Sequence, residues 1–285
     1  QDELTKPIGS LGKLEEFAIW MAGWQKKLKP TMKNPYYLVF AFLLSSIFFL
    51  LDDVISSKKA VFFWMWSKPQ TLSSSIISLS SYCKKINCKT ETPHVHFGTI
   101  NKNNNFNLHL NIKDIEVLKD FGDSFLLTFR LENLPTVYEV ADTYKKYSSI
   151  FMNYKIKIKG LELDYDSPSS KIMVYKDWIK RLSKLLPKDH IEITGLTTWV
   201  YDNEQDTREL FKEVKRINFQ LYHIDKNKIP TQRFFNFLNN ISEKKISLGV
   251  MCNDYEFTKT ITNSIKKSSQ ISIGYFLNSN CSKSS

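Results

Sequence analysis

The chain has 285 residues, of which 42% are hydrophobic and 14% aromatic, so it can bury a large core and is not a disordered sequence. The formal net charge is +11, but only five of the 40 basic residues are arginines. Because proteins that read nucleic acids favour the planar fork of arginine, we predict no nucleic-acid partner.

The first candidate element is a motif near the N-terminus. Residues 4–15 read LTKPIGSLGKLE, and residues 34–41 continue through Asn-Pro to Val-Phe-Ala. These strings resemble the N-terminus of nicotinate-nucleotide:dimethylbenzimidazole phosphoribosyltransferase. The resemblance ends at Phe42, and the later glycine-rich segments and catalytic glutamate of that family have no counterpart. We expect residues 1–31 to be a helical remnant, and phosphoribosyl transfer is our third hypothesis for function.

An apolar run comes next. Tyr36–Leu51 contains 16 residues without a charge, four lysines precede it and two aspartates follow it. A basic region before an apolar run of this length is typical of a signal sequence or a short anchor. We therefore predict a signal peptide or membrane anchor over residues 32–57, with the rest of the chain outside the cytoplasm in the cell envelope. A buried core helix is the alternative.

From residue 58 onward, strand-like and helix-like segments alternate. Several strands are continuous apolar runs, as expected for parallel strands that are covered on both faces. The candidate strands are 60–66, 94–100, 125–131, 156–165, 191–197, 217–223, 245–251 and 271–277. Eight such repeats predict an α/β fold with a single (β/α)8 TIM-like barrel over residues 58–277, followed by a disordered tail at 278–285. An open doubly wound sheet is the alternative.

The four cysteines and five histidines indicate no metal site and no cofactor. No CxxC motif is present, and His94 and His96 share a strand face without a placed third ligand. Cys83 and Cys88 are close enough in the sequence to form a disulfide if the chain is exported. Free thiols are the alternative for these cysteines.

The segment 160–168 carries the strongest chemical signal. Side chains alternate along a strand, so Glu162, Asp164 and Asp166 point to one face. Buried carboxylates in a row repel one another, and a chain tolerates them where a strand opens into a site. The expected ends of the other strands add further polar and aromatic residues, namely Trp64, Trp66, Arg130, Trp199, Tyr222 and Asp225. Carboxylates, aromatic rings and one arginine are typical of a carbohydrate site.

The alternative without a ligand is that these carboxylates form an internal ion-pair network with Arg130 and that the tryptophans fill the core. However, residues 160–168 resemble the DGxDxDWExP strand of chitinase-type (family 18) glycoside hydrolases, which favours a site. Residues 219–225 and 245–250 resemble the sixth and seventh strands of that fold. Residues 58–277 as a whole resemble an uncharacterised bacterial family of exported, glycosidase-like barrel proteins.

The resemblance implies roles for individual residues. Asp166 occupies the position of the general acid, Asp164 that of the carboxylate that orients an N-acetyl group, and Tyr222 that of a side chain holding this group. Glu162 would set the charge of its neighbour. The family has glutamate where this chain has Asp166, and aspartate where it has Lys159. A shorter side chain reaches about 1 Å less, which is enough to impair proton delivery.

Our first hypothesis is an exported or membrane-tethered, glycosidase-like barrel that binds a carbohydrate and, if it is an enzyme, hydrolyses it. The alternative is a catalytically silent glycan-binding barrel that uses the same residues. The expected partners are a carbohydrate ligand and, through the apolar segment, a membrane.

Overall fold

The computed structural model describes residues 60–69, 71, 88–221, 232–241, 246–252, 254–264 and 271–277. The predicted N-terminal remnant, signal or anchor segment and C-terminal tail lie outside the described residues. Tyr222 and Asp225 lie outside them as well. Within the described residues, no helix is long and apolar enough to cross a membrane.

Strands of the described region form one sheet that closes on itself. The strands are β1 (Ala60–Met65), β2 (Lys89–Thr90), β3 (His94–Ile100), β4 (Phe106–Leu108), β5 (Ser124–Leu131), β6 (Lys157–Asp164), β7 (Ile191–Gly195), β8 (Arg216–Gln220), β9 (Ile246–Met251) and β10 (Ser272–Leu277). β3 pairs with β5, and from β5 to β10 each strand pairs with the next in parallel. β1 pairs in parallel with both β10 and β3. The predicted eight-stranded barrel is therefore confirmed, and the open sheet is wrong.

Helices lie between the barrel strands. They are α1 (Ile112–Leu118), α2 (Val137–Asn153), α3 (Ile172–Leu182), α4 (Thr197–Asp202), α5 (Glu204–Leu210), α6 (Gln232–Asn239) and α7 (Tyr255–Ser264). α2 begins with a capping box in which Thr136 and Glu139 satisfy each other's backbone N–H groups. The alternating βα order places the C-terminal ends of the barrel strands, and the loops after them, on one face.

Side chains of the barrel strands divide between two environments. Outward-facing residues such as Leu161, Leu163 and Phe219 are fully buried in the apolar layer beneath the helices. Inward-facing residues of the same strands are largely polar, among them Glu162, Asn218 and Gln220. The period of two in a strand thus produces a helix-covered apolar core outside the barrel and a polar interior within it.

A short hairpin after β3 was not predicted. β4 runs antiparallel to β3, with Gly98 opposite Leu108. A side chain at Gly98 would lie within 2.8 Å of the Asn107 carbonyl, so glycine permits this close pairing. After the hairpin the chain returns to β3, where the His109 N–H donates to the Phe97 carbonyl at 2.9 Å. The hairpin therefore brings His109 to the barrel.

Candidate functional site

The centre of the barrel is filled by a polar network around Glu162. This carboxylate is 0% exposed and accepts hydrogen bonds from Trp64 Nε1 (2.7 Å), Thr128 Oγ1 (2.7 Å) and Asn218 Nδ2 (2.6 Å). Trp64 itself is 3% exposed, and its ring lies over Gly249, where a side chain would collide with it. Glu162 and Trp64, which we expected to contact a ligand, instead contact each other in the interior.

A second buried carboxylate lies deeper in the barrel. Glu192 accepts from Lys215 Nζ at 2.9 Å and lies 3.2 Å from Arg216 Nε. Burial opposes its ionisation, but Arg216, His94 and Lys215 together lower the pKa of Glu192 to about 2. His94 lies between the two glutamates, with Nδ1 3.2 Å from Glu162 and Nε2 3.6 Å from Glu192. Neither ring nitrogen of His94 has hydrogen-bond geometry toward a partner. These side chains fill the barrel below the C-terminal end of its strands, which we call the mouth.

Arg130 organises the mouth of the barrel. Its NH1 donates to Asp164 Oδ2 at 2.6 Å, and its NH2 lies 2.8 Å from Asp166 Oδ2. The other oxygen of Asp164 accepts from Thr194 Oγ1 (2.9 Å) and Gln220 Nε2 (2.8 Å). The guanidinium therefore bridges the two carboxylates that the sequence motif places on one strand face.

The two carboxylates at the mouth differ in environment. Asp164 is 2% exposed, whereas the side chain of Asp166 is 40% exposed. Burial raises the pKa of Asp164, Arg130 lowers it, and the neighbouring Asp166 raises it again, leaving it above its usual value. Burial would lower the pKa of Arg130, but the Asp164 and Asp166 carboxylates raise it above its usual value. Arg130 is thus a permanent cation between them.

An aromatic row forms another part of the mouth. Trp66 lies just after β1 and stacks on His96, with ring centroids 4.2 Å apart, and His96 stacks on His109 at 4.7 Å. Phe276 lies on another side of Trp66, at 5.7 Å between ring centroids. The pKa of His96 is lowered to about 4, because burial and the electrostatic effects of His109 and Arg130 outweigh two backbone hydrogen bonds that would raise it. This ring is therefore neutral at pH 7. Trp66 is half-buried and keeps part of its surface accessible.

The loop that carries Asp166 is held from outside the barrel. Trp199 is 0% exposed, and its Nε1 donates to the Ser167 carbonyl at 2.6 Å. Asn203 Nδ2 donates to the Ser169 carbonyl at 2.7 Å. Trp199 belongs to α4 and not to the end of β7, because the strand stops at Gly195. We expected Trp199 to contact a ligand, and the structure instead encloses it behind the site.

Of the predicted site residues, the structure brings Trp66, Arg130, Asp164 and Asp166 to the mouth. Sequence reasoning missed Thr194 and Gln220, which donate to Asp164, and it missed the stacking of His96 with His109 and Trp66. The period-two pattern of β7 and β8 points Thr194 and Gln220 inward and could have indicated them. The described residues contain no group of three metal-binding side chains.

The N-terminal residues match known proteins, as the sequence indicated. A phosphoribosyltransferase family model matches residues 1–42. The nicotinate-nucleotide–dimethylbenzimidazole phosphoribosyltransferase of Methylocella silvestris is 58% identical over 41 residues, which are 14% of this chain and 12% of that protein. The protein of the same name from Rhodobacter capsulatus is 49% identical over 41 residues, which are 14% of this chain and 35% of that sequence. The matched segment thus spans 12% of the length of the first of these relatives.

The structure is similar to several solved chitinases. A chitinase from Bacteroides thetaiotaomicron has a TM-score of 0.47 and 13% identity, covering 68% of each chain. The catalytic domain of a family GH18 chitinase from the fern Peteris ryukyuensis has a TM-score of 0.42 and 11% identity, covering 79% of this chain and 94% of that one. A family 18 chitinase from Crocus vernus has a TM-score of 0.45 and 14% identity, covering 78% and 94%.

Proposed function

We propose that this protein is an exported or membrane-tethered barrel that binds a carbohydrate at its mouth without hydrolysing it. The observation that carries the proposal is the bridge from Arg130 to Asp164 and Asp166, at 2.6 and 2.8 Å. A site with this bridge offers fixed charges and hydrogen-bonding groups, which suits recognition of hydroxyl groups.

Hydrolysis of a glycosidic bond needs a carboxylic acid that delivers a proton to the leaving oxygen. The family resemblance assigns that role to Asp166. The Arg130 guanidinium lies 2.8 Å from Asp166 Oδ2 and therefore competes with a leaving oxygen for this carboxyl group. The side chain of Asp166 is also one methylene shorter than the glutamate at this position in the family. Both features favour the silent barrel over the enzyme.

The mouth has the groups that a sugar-binding site needs. The side chains of Arg130 and Asp166 are 33% and 40% exposed, so each keeps hydrogen-bonding capacity toward solvent. Trp66 offers an aromatic surface on which the apolar face of a sugar ring can stack. Polar groups beside an aromatic surface are the usual composition of small-ligand sites.

Export is supported by the cysteines. Cys88 and Cys252 are both disulfide-bonded. Disulfides persist in oxidising compartments and are rare in the cytosol. Together with the apolar segment Tyr36–Leu51, they favour a location outside the cytoplasm.

A second candidate is slow hydrolysis, and the raised pKa of Asp164 favours it. Pairs of carboxyl groups whose environments push their pKa values apart recur at acid–base sites. In that case Asp164 would carry the proton.

The test uses the full chain in a detergent without a sugar headgroup, mixed with N-acetylated and plain oligosaccharides. Calorimetry follows binding, and release of reducing ends follows cleavage. We expect binding without cleavage, and we expect weaker binding for Arg130→Met but not for Arg181→Met, which changes an exposed arginine away from the mouth. Cleavage that disappears in Asp166→Asn and persists in the exposed control Asp177→Asn would establish hydrolysis instead. Binding to no oligosaccharide would refute a carbohydrate site.

A further inference from the structure

Exposed lysines gather at the end of the barrel opposite the mouth. Lys89 and Lys157 begin strands, Lys155 precedes β6, and other lysines follow the ends of helices. In a βα barrel, strand starts and helix ends lie on the same N-terminal face. We name the following exposed lysines the basic rim: Lys89, Lys119, Lys155, Lys157, Lys184 and Lys212.

Acidic residues do not cancel this charge. Asp120, Asp123 and Asp189 lie in the same connections, and two lysines form ion pairs, Lys188 with Glu213 at 2.8 Å and the rim residue Lys212 with Glu209 at 2.7 Å; the other five rim lysines outnumber these three aspartates. At the mouth the balance differs, because the exposed lysines there stand among the carboxylates of Glu132, Asp166, Asp202 and Asp254. The barrel is therefore polarised, with excess positive charge at the end away from the ligand site.

The chain enters the barrel at this basic end. β1 starts at Ala60, and only residues 52–59 separate it from the apolar segment Tyr36–Leu51. Lys89, the first rim lysine, pairs with Ala60 at the start of β1, so the basic rim lies at the end of the barrel where β1 begins.

We propose that the basic rim binds the anionic phospholipid headgroups of a membrane surface, with the mouth directed away from that surface. This inference rests on the membrane tether proposed above. Lysine next to a membrane anchor is attracted by anionic headgroups, and the attraction falls off within a Debye length. The orientation leaves the carbohydrate site open to ligands outside the membrane.

A nucleic acid is the alternative anionic partner, but the residue types at this end of the barrel disfavour it. The rim is built from lysines. Arg130 and Arg208 form ion pairs elsewhere, and Arg216, at the start of β8, is buried and paired with Glu91 and Glu192. Lysine is a compact, strongly hydrated charge on a flexible stem, which suits a diffuse headgroup layer. Readers of bases and phosphates rely on the bidentate fork of arginine.

The test is chemical labelling of lysine amines in the full chain, bound to vesicles of phosphatidylcholine with or without phosphatidylglycerol, and read by mass spectrometry. We expect anionic vesicles to slow labelling of the rim lysines by about fivefold each, the factor that matches the attraction of one lysine to an anionic leaflet. The exposed lysines at the other end, Lys68, Lys102 and Lys171, serve as internal controls and should label equally in both vesicles.

Matched variants sharpen the result. Lys155→Glu, Lys157→Glu and Lys184→Glu together should abolish protection of the remaining rim lysines. The same charge change at Lys68, Lys102 and Lys171 should leave that protection intact. Equal labelling at both ends of the chain, or protection by an oligonucleotide but not by anionic vesicles, would overturn the inference. A chain that binds no vesicle would overturn the tether as well, whereas the glycan assay tests the mouth independently.

Discussion

Replacing Arg130 by methionine should leave the buried charge of Asp164 without its cation. Asp164 is 2% exposed, and its contact with Arg130 NH1 is 2.6 Å. Removing one partner of a buried pair costs about 3–5 kcal/mol of folding free energy. Because the Arg130 side chain is 33% exposed and solvent screens part of the interaction, we expect about 3 kcal/mol, the low end of that range, at neutral pH.

The loss should depend on pH in a direction that identifies Asp164. Burial already raises the pKa of this carboxyl, and Arg130 opposes the rise, so the variant should raise the pKa further. A carboxyl whose folded pKa lies above its unfolded value holds its proton more tightly in the folded state. Its contribution to stability is therefore fully present below the unfolded pKa and falls as pH rises through the folded pKa. Arg130→Met should thus be closest to the parent in stability under acid conditions.

Urea unfolding followed by tryptophan fluorescence measures the effect across this pH range. Adding Asp164→Asn to Arg130→Met removes the unpaired charge, so the double variant should recover much of the lost stability and lose the pH dependence. Arg181→Met, at an exposed arginine, is the control and should change stability little. If the stability losses of Arg130→Met and Asp164→Asn simply add in the double variant, or if the loss of stability in Arg130→Met is the same at every pH, the ion pair does not make the contribution to stability assigned to it.

Three further changes probe other parts of the molecule. The pKa of Glu192 is lowered from 4.5 to about 2. This buried carboxylate should therefore contribute about 3 kcal/mol to the free energy of unfolding, fully present above its unfolded pKa and lost as pH falls from there toward 2. Acid unfolding of Glu192→Gln should lack this loss of stability. Trp199→Phe removes the donor to the Ser167 carbonyl and should cost about 1 kcal/mol in urea unfolding, with weaker oligosaccharide binding by calorimetry. Reducing the disulfides of Cys88 and Cys252 should lower the thermal midpoint, since a disulfide contributes about 2–4 kcal/mol, and an unchanged midpoint would show that these cysteines do not stabilise the fold.

The strands could be predicted because their signal is local. A run of apolar and β-branched residues bounded by polar ones predicts a buried parallel strand, and the predicted 94–100 coincides with β3. The closure of the sheet followed from the number of such runs and from their alternation with helices. The deviations are at element ends: β7 stops two residues early, because residues 197–202 form α4.

Other features could not be predicted because they depend on distant residues. The hairpin of β4 is only three residues long, too short for a periodic pattern. Trp199 looked like a residue at a strand end, yet its burial is set by contacts with Ser167 and with Tyr175 of α3. A tryptophan can stack on a ligand or fill the core, and its own sequence neighbourhood does not distinguish these roles.

The strand-six carboxylates illustrate the boundary between local and tertiary information. The period of two places Glu162 and Asp164 on one face of β6 and Asp166 just beyond its end, but each second residue also lies about 7 Å further along the chain direction of the strand. That step places Glu162 in the enclosed interior, Asp164 at the floor of the mouth and Asp166 at the exposed edge of the mouth. The residue that joins the last two, Arg130, lies 34 positions away from Asp164 in the sequence. The motif therefore supplies the carboxyl groups, while a distant arginine sets the charge beside them, and an assay of turnover by Asp166 variants distinguishes the silent barrel from the enzyme.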